Sequence, residues 1–519
     1  MVLRIIVFVF MVFWPRSDSA NILAVYPNPS ISHQVVFRRV TLELVKQGHN
    51  VTVITPDPAF PKKDGPENLR EIDLHDISYR YVHDVHHTLP KSELRKQLSD
   101  PKFCFRFMHD LFDLYLNIKD VRQVIHDNST KYDIILMEEF ARLFLAISHV
   151  TKAPVILFSS FGGMPNTFDV FGLQTQPIVY PSPLSRRIYN LSLWEKIIQF
   201  YNYFNFLHIS NVILKEEHAL LQKHFGSDIP EIHELYKNVH MLFLNNHPIW
   251  TENQPVPPNI IYLGGIHQLE TKELPKDLKA YLDSSKHGVI YVSFGTNAKS
   301  TVLQTDKIKI IAKVLGQLPY DVLWKWDQDT LPGQTKNIKL SKWLPQADLL
   351  KHPKIKLFIT QAGLQSTDEA ITAGVPLLAF PVLGDQWYNA EKYERHGIGK
   401  KYLFQEISEE VVKNSVEEII GDKRYRENIV KLRMMMNDQP LKPLERAVFW
   451  IDHVIRNKGG QHLLPATSHL TWAQYYEVDL LVILLTVVLV SLVAVSLVLK
   501  RLYNFVLRNV KISQKLKSS

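Results

Sequence analysis

Apolar, strand-like runs alternate with helix-like segments in two stretches of this 519-residue chain. Near the start, a run at residues 22–26 is followed by a helical pattern at about 35–47, by Gly48 as a stop signal and by a second run at 51–54. A strand, a helix and a second strand in this order form a right-handed crossover between parallel strands. The alternation therefore restricts the chain to the α/β class, with parallel sheets covered by helices.

The same pattern continues at residues 134–158 and returns at 289–380, which predicts two sheets in tandem. The chain is too long for one ordinary core, so two domains of roughly 200 residues each are expected. A proline-rich stretch at 248–258 is expected to join them, because proline resists continuing either kind of element. We predict an N-terminal domain at 20–250, a linker at 251–262 and a C-terminal domain at 263–460.

The N-terminus carries a short apolar run at residues 5–14, which follows Arg4 and precedes small residues near Ser19. This run is too short to span a bilayer core of about 30 Å. A basic residue, a short apolar run and small residues in this order are typical of a secretory leader. We therefore predict a removed signal peptide at 1–19.

The C-terminus carries a longer apolar run, because residues 480–499 contain no charge. Tyr475 and Tyr476 precede the run, and Lys500 and Arg501 follow it. Aromatic residues on one flank and basic residues on the other orient a membrane helix with its basic end in the cytosol. We predict a single transmembrane helix at 478–499, a cytosolic basic tail at 500–519 and lumenal domains before them.

The excess of positive charge is concentrated in this tail. The formal net charge is +8, and residues 500–519 contain six lysines and arginines and no acidic residue. The charge therefore does not indicate a nucleic-acid-binding protein. Lys515 and Lys517 resemble the dilysine retrieval signal of resident membrane proteins of the endoplasmic reticulum, although lysines beside an anionic leaflet would also explain them. We expect a single-pass, type I protein of that membrane.

Cysteine and asparagine patterns fit a lumenal location. The single cysteine, Cys104, cannot form an internal disulfide, so stability must come from core packing, and a catalytic cysteine is not expected. Asn50, Asn128 and Asn190 match the N-glycosylation pattern. Asn50 is the least suited of the three, because it leads directly into an apolar strand.

Two polar residues follow predicted strands of the first domain, where ligands bind open α/β sheets. His33 follows the first strand and Glu138 follows a later one, so both could reach one edge of the sheet. A carboxylate beside an imidazole orients it as a general base for an acceptor hydroxyl. Two alternatives stay open: His33 could be an exposed loop residue, and Glu139 could replace Glu138. We expect one of the two acids to face solvent, because burying an unpaired carboxylate is costly.

A dense motif lies in the second domain between Trp343 and Gln386. It comprises Trp343-Leu-Pro-Gln346, Phe358-Ile-Thr-Gln361-Ala-Gly363, Ser366-Thr-Asp-Glu369-Ala370, Gly374-Val-Pro376, Phe380-Pro381 and Asp385-Gln386. With Tyr291-Val-Ser-Phe-Gly-Thr296 and the membrane tail, it resembles the UDP-glycosyltransferase (UDP-glucuronosyltransferase-like) family over nearly the whole chain. Gln361 and the Gln365-Ser-Thr-Asp run resemble the insect-type, membrane-bound branch.

The resemblance implies two Rossmann-like domains facing each other across a cleft, the GT-B type, with a C-terminal transmembrane helix. The first domain would bind the acceptor and the second the UDP-sugar. His33 would be the catalytic base, supported by Glu138. The implied UDP-binding residues are Ser293, Trp343, Gln346, Gln361, Gly363, Ser366 and Glu369, and the implied sugar-binding residues are Asp385 and Gln386. The helix beginning near Ser366 would present its positive end to the diphosphate.

Each of these positions also has a structural explanation. Ser366 and Glu369 could form a capping box, Trp343 could belong to the core, and Asp385 and Gln386 could open a helix. The glycines, Gly363 and Gly374, could be turn residues.

The sequence also departs from the family pattern, because the family usually has His at Gln361, Gly at Ala362 and Asn at Gln365. An amide donates a hydrogen bond to phosphate without adding charge. Asp327-Gln-Asp329 imitates a metal-binding motif of another architecture, but we expect no metal, because the helix end would hold the diphosphate.

The resemblance implies inverting transfer of a sugar, with glucose expected, from a UDP-sugar to a hydroxyl of a small lipophilic acceptor, in detoxification or metabolite conjugation. No cofactor is expected, since the UDP-sugar is a co-substrate, and homo- or hetero-oligomers are compatible with the family. Glucuronate stays open as the donor sugar. Two other functions stay open: a UDP-sugar-binding protein without catalysis, and a transferase acting on ceramide or sterol.

Overall fold

A computed structural model describes residues 19–61, 64–127, 129–296, 303–468 and 470–517. Apart from Ser19, the predicted signal peptide lies outside the described residues, and so does Asn128. Asn50 and Asn190 are both exposed. Two parallel sheets form the centre of the protein, so the α/β prediction is confirmed.

The first sheet has seven strands in the order β3-β2-β1-β4-β5-β6-β7. Their bounds are β1 Asn21–Val25, β2 Asn50–Thr55, β3 Leu69–Asp73, β4 Ile134–Glu138, β5 Val155–Ser159, β6 Val239–Leu244 and β7 Ile260–Tyr262. The central strands are buried on both faces, as their continuous apolar sequences require in a parallel sheet. The order reverses between β1 and β4, which pair through Val25 and Met137.

Helices cover both faces of this sheet. They are α1 Ile31–Lys46, α2 His75–Thr88, α3 Lys91–Gln97, α4 Pro101–Leu116, α5 Lys119–His126, α6 Ala146–Thr151, α7 Pro165–Val170, α8 Leu193–Phe225 and α9 Ile232–Leu235. One core layer contains α4 and α5, and the other contains α1. Ser192 and Glu195 form a capping box that begins the 33-residue helix α8.

The second sheet has six parallel strands in the order β10-β9-β8-β11-β12-β13. Their bounds are β8 Val289–Ser293, β9 Asp321–Lys325, β10 Ile338–Ser341, β11 Ile355–Thr360, β12 Leu377–Ala379 and β13 Gly399–Lys401. The helices of this half are α10 Lys276–Ser284, α11 Thr305–Gln317, α12 Gln346–Leu350, α13 Leu364–Ala373, α14 Gln386–Arg395, α15 Glu409–Gly421, α16 Lys423–Asn437 and α17 Pro443–Arg456. Here the order reverses between β8 and β11, which pair through Ser293 and Thr360.

The boundary between the halves differs from the sequence prediction in two ways. Residues Ile260–Tyr262 lie in the predicted linker at 251–262 but form the edge strand β7 of the first sheet, because they continue its ladder beyond β6. Helix α17 lies in the predicted C-terminal domain but packs on the first sheet beside α1, where Val448 and Ile451 join the buried core. Helix α17, which follows the second sheet in sequence, therefore completes the core of the first half.

The C-terminal segment consists of α18 Trp472–Tyr475 and α19 Val478–Lys517. Within α19, the segment Val478–Lys511 is long enough to cross a membrane and contains an apolar window with a mean hydropathy of 3.1, none of which is buried. An apolar helix left wholly uncovered by the rest of the chain fits a single-pass membrane anchor.

Candidate active site between the two sheets

The first strand-order reversal brings His33 and Glu138 together. Glu138 is the last residue of β4, and His33 lies in the first turn of α1 after a loop that follows β1. The His33 Nδ1 atom lies 2.8 Å from Glu138 Oε1, and Glu138 Oε2 accepts a hydrogen bond from the Asn28 backbone N–H at 3.1 Å. Since a carboxylate is an acceptor, Nδ1 carries the proton and the basic lone pair is on Nε2.

Aromatic rings flank the imidazole, which is 15% exposed. The Phe161 and Phe140 ring centroids lie 5.9 and 6.5 Å from that of His33. The carboxylate behind the imidazole, Glu138, is 1% exposed. The alternative of an exposed loop histidine is therefore wrong, because His33 lies in a helix and is mostly covered.

The neighbouring acid, Glu139, is also buried, which contradicts the prediction that one of the pair faces solvent. Its carboxylate accepts a hydrogen bond from the Met164 backbone N–H at 2.9 Å. Burial raises the pKa of Glu139, and hydrogen bonds from Met164, Ser159 and Thr167 oppose that rise. Glu139 therefore holds the start of α7, and of the two acids only Glu138 bonds to the imidazole, whose Nδ1 also lies 3.1 Å from Asn28 Nδ2.

The second reversal brings together Ser293, at the end of β8, and Gln361, directly after β11. Both side chains are buried. The Ser293 hydroxyl accepts a hydrogen bond from the Gly295 backbone N–H at 3.3 Å, and a Cβ at Gly295 would come within 2.1 Å of Gln361 Nε2. Only glycine permits this approach, so the loop after β8 lies directly over the amide that replaces the usual histidine.

The next residue, Ala362, has a φ of +68°, in the left-handed region that favours glycine. This is the position at which the family usually has glycine. The residue after it, Gly363, caps α13 with a φ of −64°, so Gly363 needs no special backbone freedom. The strained position in this turn is therefore Ala362.

Helix α13 begins at Leu364, two residues earlier than predicted, and the capping-box interpretation of Ser366 and Glu369 is wrong. Ser366 is the third helical residue, so its hydroxyl cannot cap the helix. It accepts instead a hydrogen bond from Gln346 Nε2 at 2.9 Å, and Glu369 Oε2 accepts from the same amide nitrogen at 2.7 Å.

Gln346 is the centre of this polar cluster. Its Oε1 accepts a hydrogen bond from the Tyr291 hydroxyl at 2.9 Å while its Nε2 reaches α13. Burial raises the pKa of Glu369 to about 7, and the hydrogen bond from Gln346 opposes this rise. The Glu369 carboxylate thus gains or loses its proton near neutral pH, and one of its oxygens accepts a hydrogen bond from Gln346.

Trp343 is 62% exposed, so the alternative of a core tryptophan is wrong. The ammonium of Lys325 lies 4.9 Å from its ring centroid and donates a hydrogen bond to the Gly295 carbonyl at 3.2 Å. Lys325 ends β9 and pairs in register with Ser293. Burial lowers its pKa. Lys325 was not among the residues predicted from sequence, where its place at the end of an apolar strand is the one feature that marks it.

Asp385 and Gln386 lie at the start of α14. Asp385 Oδ2 accepts a hydrogen bond from Asn389 Nδ2 at 2.7 Å, whereas Gln386 Oε1 accepts from the Val382 and Leu383 backbone N–H groups at 2.7 and 2.8 Å. The oxygen of Gln386 therefore fixes the loop before its own helix, and the two residues open that helix as the structural explanation predicted. Backbone N–H groups of Asp385 and Leu364 also hydrogen-bond to the Asp385 carboxylate.

The two halves meet at these residues. Burial raises the pKa of Asp385, while the Asn389 hydrogen bond and the charge of His33, from the other half, lower it. Nearby, Gln365 Nε2 on α13 donates to the Ser160 carbonyl at 2.9 Å, one residue before Phe161. The predicted base of one half therefore lies close enough to the predicted sugar-binding acid of the other for its charge to act on that acid.

The Asp327-Gln-Asp329 segment lies beside Lys325, whose pKa the charge of Asp327 raises. Asp329 is exposed and pairs with Lys342 at 2.8 Å. Across the residues that the structure describes, no group of three metal-binding side chains occurs.

Comparisons with known proteins identify the family and the fold of this chain. The family model for UDP-glucoronosyl and UDP-glucosyl transferase matches residues 21–515. An ecdysteroid UDP-glucosyltransferase of Spodoptera littoralis nuclear polyhedrosis virus is 32% identical over 488 residues, covering 90% of this chain and 94% of the viral one. Human UDP-glucuronosyltransferase 1A9 is 30% identical over 477 residues, covering 88% and 86%. The solved structure of a Polygonum tinctorium UDP-glucosyltransferase matches with a TM-score of 0.54 at 16% identity, covering 85% and 99%.

Proposed function

The chain belongs to the UDP-glucoronosyl and UDP-glucosyl transferase family, with a GT-B fold, and we propose that it transfers glucose from UDP-glucose to a hydroxyl of a small lipophilic acceptor with His33 as general base. The observation that carries the mechanism is the 2.8 Å contact between His33 Nδ1 and Glu138 Oε1. A proton on Nδ1 leaves Nε2 as the base, and the buried carboxylate stabilises the imidazolium that forms.

In the proposed reaction, His33 Nε2 takes the proton of the acceptor hydroxyl as its oxygen bonds to the anomeric carbon. The bond from that carbon to the diphosphate oxygen breaks, and UDP leaves with the electron pair. Attack opposite the leaving group inverts the anomeric centre, so an α-linked donor gives a β-glycoside. Asp385 would accept hydrogen bonds from sugar hydroxyls; its closeness to His33, whose charge lowers the pKa of Asp385, supports this role.

The cluster at the second strand-order reversal supports nucleotide binding. The exposed face of Trp343 is suited to stack on uracil, and the Glu369 carboxylate is suited to accept ribose hydroxyls. The start of α13, with Gly363 and Ser366, offers N–H groups and a positive dipole end to the diphosphate. Gln361 brings no charge to this site, and Lys325 supplies a cation in the same cluster.

The choice of glucose follows the viral relatives, whose names specify UDP-glucosyl transfer, while the human relatives are named as glucuronosyltransferases. A lipophilic acceptor suits the aromatic residues, Phe140 and Phe161, beside His33. The uncovered apolar helix α19 supports a single-pass anchor, with its basic tail in the cytosol and both sheets in the lumen of the endoplasmic reticulum.

The test is UDP release from UDP-glucose with 1-naphthol as acceptor, using the full-length chain in detergent. We expect His33→Ala to lower turnover by about 10²- to 10⁴-fold, the usual contribution of a general base, and to leave UDP binding unchanged. His83→Ala is the matched control, because its side chain is 66% exposed on α2. Tight UDP binding by the parent without turnover on any phenol, steroid or ceramide would contradict the proposal, and faster release with UDP-glucuronate would reassign the donor.

A further inference from the structure

Trp250 belongs to the first half of the chain, but its side chain is buried in the second. It lies between β6 and β7 of the first sheet, in a short 3₁₀ turn at Pro248–Thr251. Its side chain is 1% exposed and is part of the buried apolar cluster that contains Tyr388 and Tyr393 of α14. A buried indole N–H normally has a hydrogen-bond partner, and that partner shows which group the indole holds in place.

The partner of Trp250 is the side chain of Asn389 on α14. The indole Nε1–H donates to Asn389 Oδ1 at 2.9 Å. Asn389 is 2% exposed, and its Nδ2 donates to Asp385 Oδ2 at 2.7 Å and to the Ala362 carbonyl at 3.0 Å. One buried amide therefore connects the first half to the predicted sugar-binding acid and to the turn before α13.

These three partners allow only one orientation of the Asn389 amide. An indole N–H can only donate, whereas an ionised carboxylate and a peptide carbonyl can only accept. Turning the amide over would place its oxygen against the Asp385 carboxylate and its N–H groups against the N–H of Trp250. The indole and the two acceptors therefore fix the amide together, and the amide holds Asp385.

The first half also holds α14 one turn further along. The Lys392 side chain is 0% exposed, and its Nζ lies 2.5 Å from Glu252 Oε1, two residues after Trp250. The Tyr189 hydroxyl donates to the same Glu252 oxygen at 2.5 Å. Separating a buried ion pair is strongly destabilising. These contacts therefore keep α14 against the segment that carries Trp250.

We propose that Trp250 is a positioning residue for the donor sugar: acting through Asn389, it holds the Asp385 carboxylate where the sugar hydroxyls bind. This role rests on the proposed function, which makes Asp385 the sugar-binding acid. Trp250 has no contact with the nucleotide cluster around Gln346. Its loss should therefore affect binding of the sugar and leave binding of the nucleotide unchanged.

The experiment compares UDP-glucose and UDP by isothermal titration calorimetry with the full-length chain in detergent, without acceptor. Trp250→Phe removes the indole N–H and keeps an aromatic ring. We expect its affinity for UDP-glucose to fall about three- to tenfold, the usual effect of losing one hydrogen bond, and its affinity for UDP to stay unchanged. Asn389→Ala should lower the UDP-glucose affinity further, because it removes the hydrogen bond to Asp385 itself.

Trp326→Phe is the matched control. Trp326 is also buried in the second half, and its indole N–H donates to the Thr330 carbonyl at 2.9 Å. The control therefore loses the same ring and the same kind of hydrogen bond away from α14. We expect its affinities for both ligands to match those of the parent.

A double variant separates positioning from a general loss of structure. Because Trp250 acts through Asp385, Trp250→Phe combined with Asp385→Ala should bind UDP-glucose no more weakly than Asp385→Ala alone. If the two losses of affinity multiply instead, Trp250 acts independently of Asp385 and the proposal is overturned.

Unchanged UDP-glucose affinity in both Trp250→Phe and Asn389→Ala would overturn the proposal, and so would equal losses for UDP and UDP-glucose in Trp250→Phe. If Asp385→Ala itself binds UDP-glucose like the parent, Asp385 is not the sugar-binding acid and the role of Trp250 is refuted with it. A chain that shows the expected pattern of binding but transfers no glucose to 1-naphthol would contradict the proposed function and support the role of Trp250.

Discussion

The raised pKa of Glu369 makes nucleoside binding depend on pH in a direction that can be calculated. The ionised carboxylate accepts hydrogen bonds from ribose hydroxyls, whereas the protonated acid has lost much of that capacity. Because its pKa lies at about 7, above the usual value of 4.5, the group is ionised above neutral pH and protonated below it. Affinity should therefore fall as the pH is lowered through 7.

The size of the effect follows from the ionised fraction. With a pKa of about 7, that fraction is about 0.91 at pH 8 and about 0.09 at pH 6, which gives a roughly tenfold loss of affinity, or about 1.4 kcal/mol. The assay is isothermal titration calorimetry of the full-length chain with uridine. Uridine is preferred over UDP, because UDP contains a phosphate that itself titrates near pH 6.

Glu369→Gln is the matched control, because the amide keeps the shape and hydrogen-bonding oxygen of the side chain and does not titrate in this range. We expect this variant to bind uridine weakly and with the same affinity at pH 6 and pH 8. Equal affinities at the two pH values in the parent, or the same tenfold loss in Glu369→Gln, would show that the carboxylate does not hold the ribose.

Three further predictions concern the same half of the protein. Lys325→Met should weaken UDP binding by about tenfold or more and uridine binding by much less, because a charge-assisted contact to phosphate contributes about 1.5–3 kcal/mol. An equal loss of affinity for both ligands would contradict a phosphate role for Lys325. Trp343→Ala should weaken uridine binding by about 1–3 kcal/mol at every pH, as measured by calorimetry, and unchanged affinity would exclude stacking. Ala362→Gly should raise the thermal unfolding midpoint slightly. Removing the left-handed strain stabilises the folded state by about 1–2 kcal/mol, which exceeds the about 0.4–1 kcal/mol lost to the greater entropy of glycine in the unfolded chain. A lower midpoint would mean that the turn is not strained.

The parts of the fold that could be predicted from sequence depend on local patterns. Strand β1, helix α1 and strand β2 each have a clear apolar period and a stop signal, and parallel pairing follows from their order. Because polar residues after strands collect at one edge, the meeting of His33 with Glu138 could also be predicted. These inferences needed only residues close in sequence and the handedness of one crossover.

The parts that could not be predicted depend on tertiary contacts. The amphipathic pattern of α17 does not specify which of two sheets it covers, and only packing places Val448 and Ile451 on the first. Burial of both Glu138 and Glu139 requires separate partners, one supplied by Asn28 and the other by the start of α7, and sequence spacing does not reveal them. Helix α13 begins directly after Gly363, and the predicted capping box of Ser366 and Glu369 does not form, because Gln346 hydrogen-bonds to both side chains.

The return of α17 to the first sheet has a mechanical consequence. The polypeptide passes between the halves twice, once after β7 and once before α17, and Arg446 joins these passages by donating to the Tyr262 carbonyl at 2.9 Å and to Gln439 Oε1 at 2.6 Å. Because these two passages of the chain lie side by side, they restrain how the halves can move relative to each other. We therefore expect any rotation between the halves to be confined to an axis at the Arg446 side.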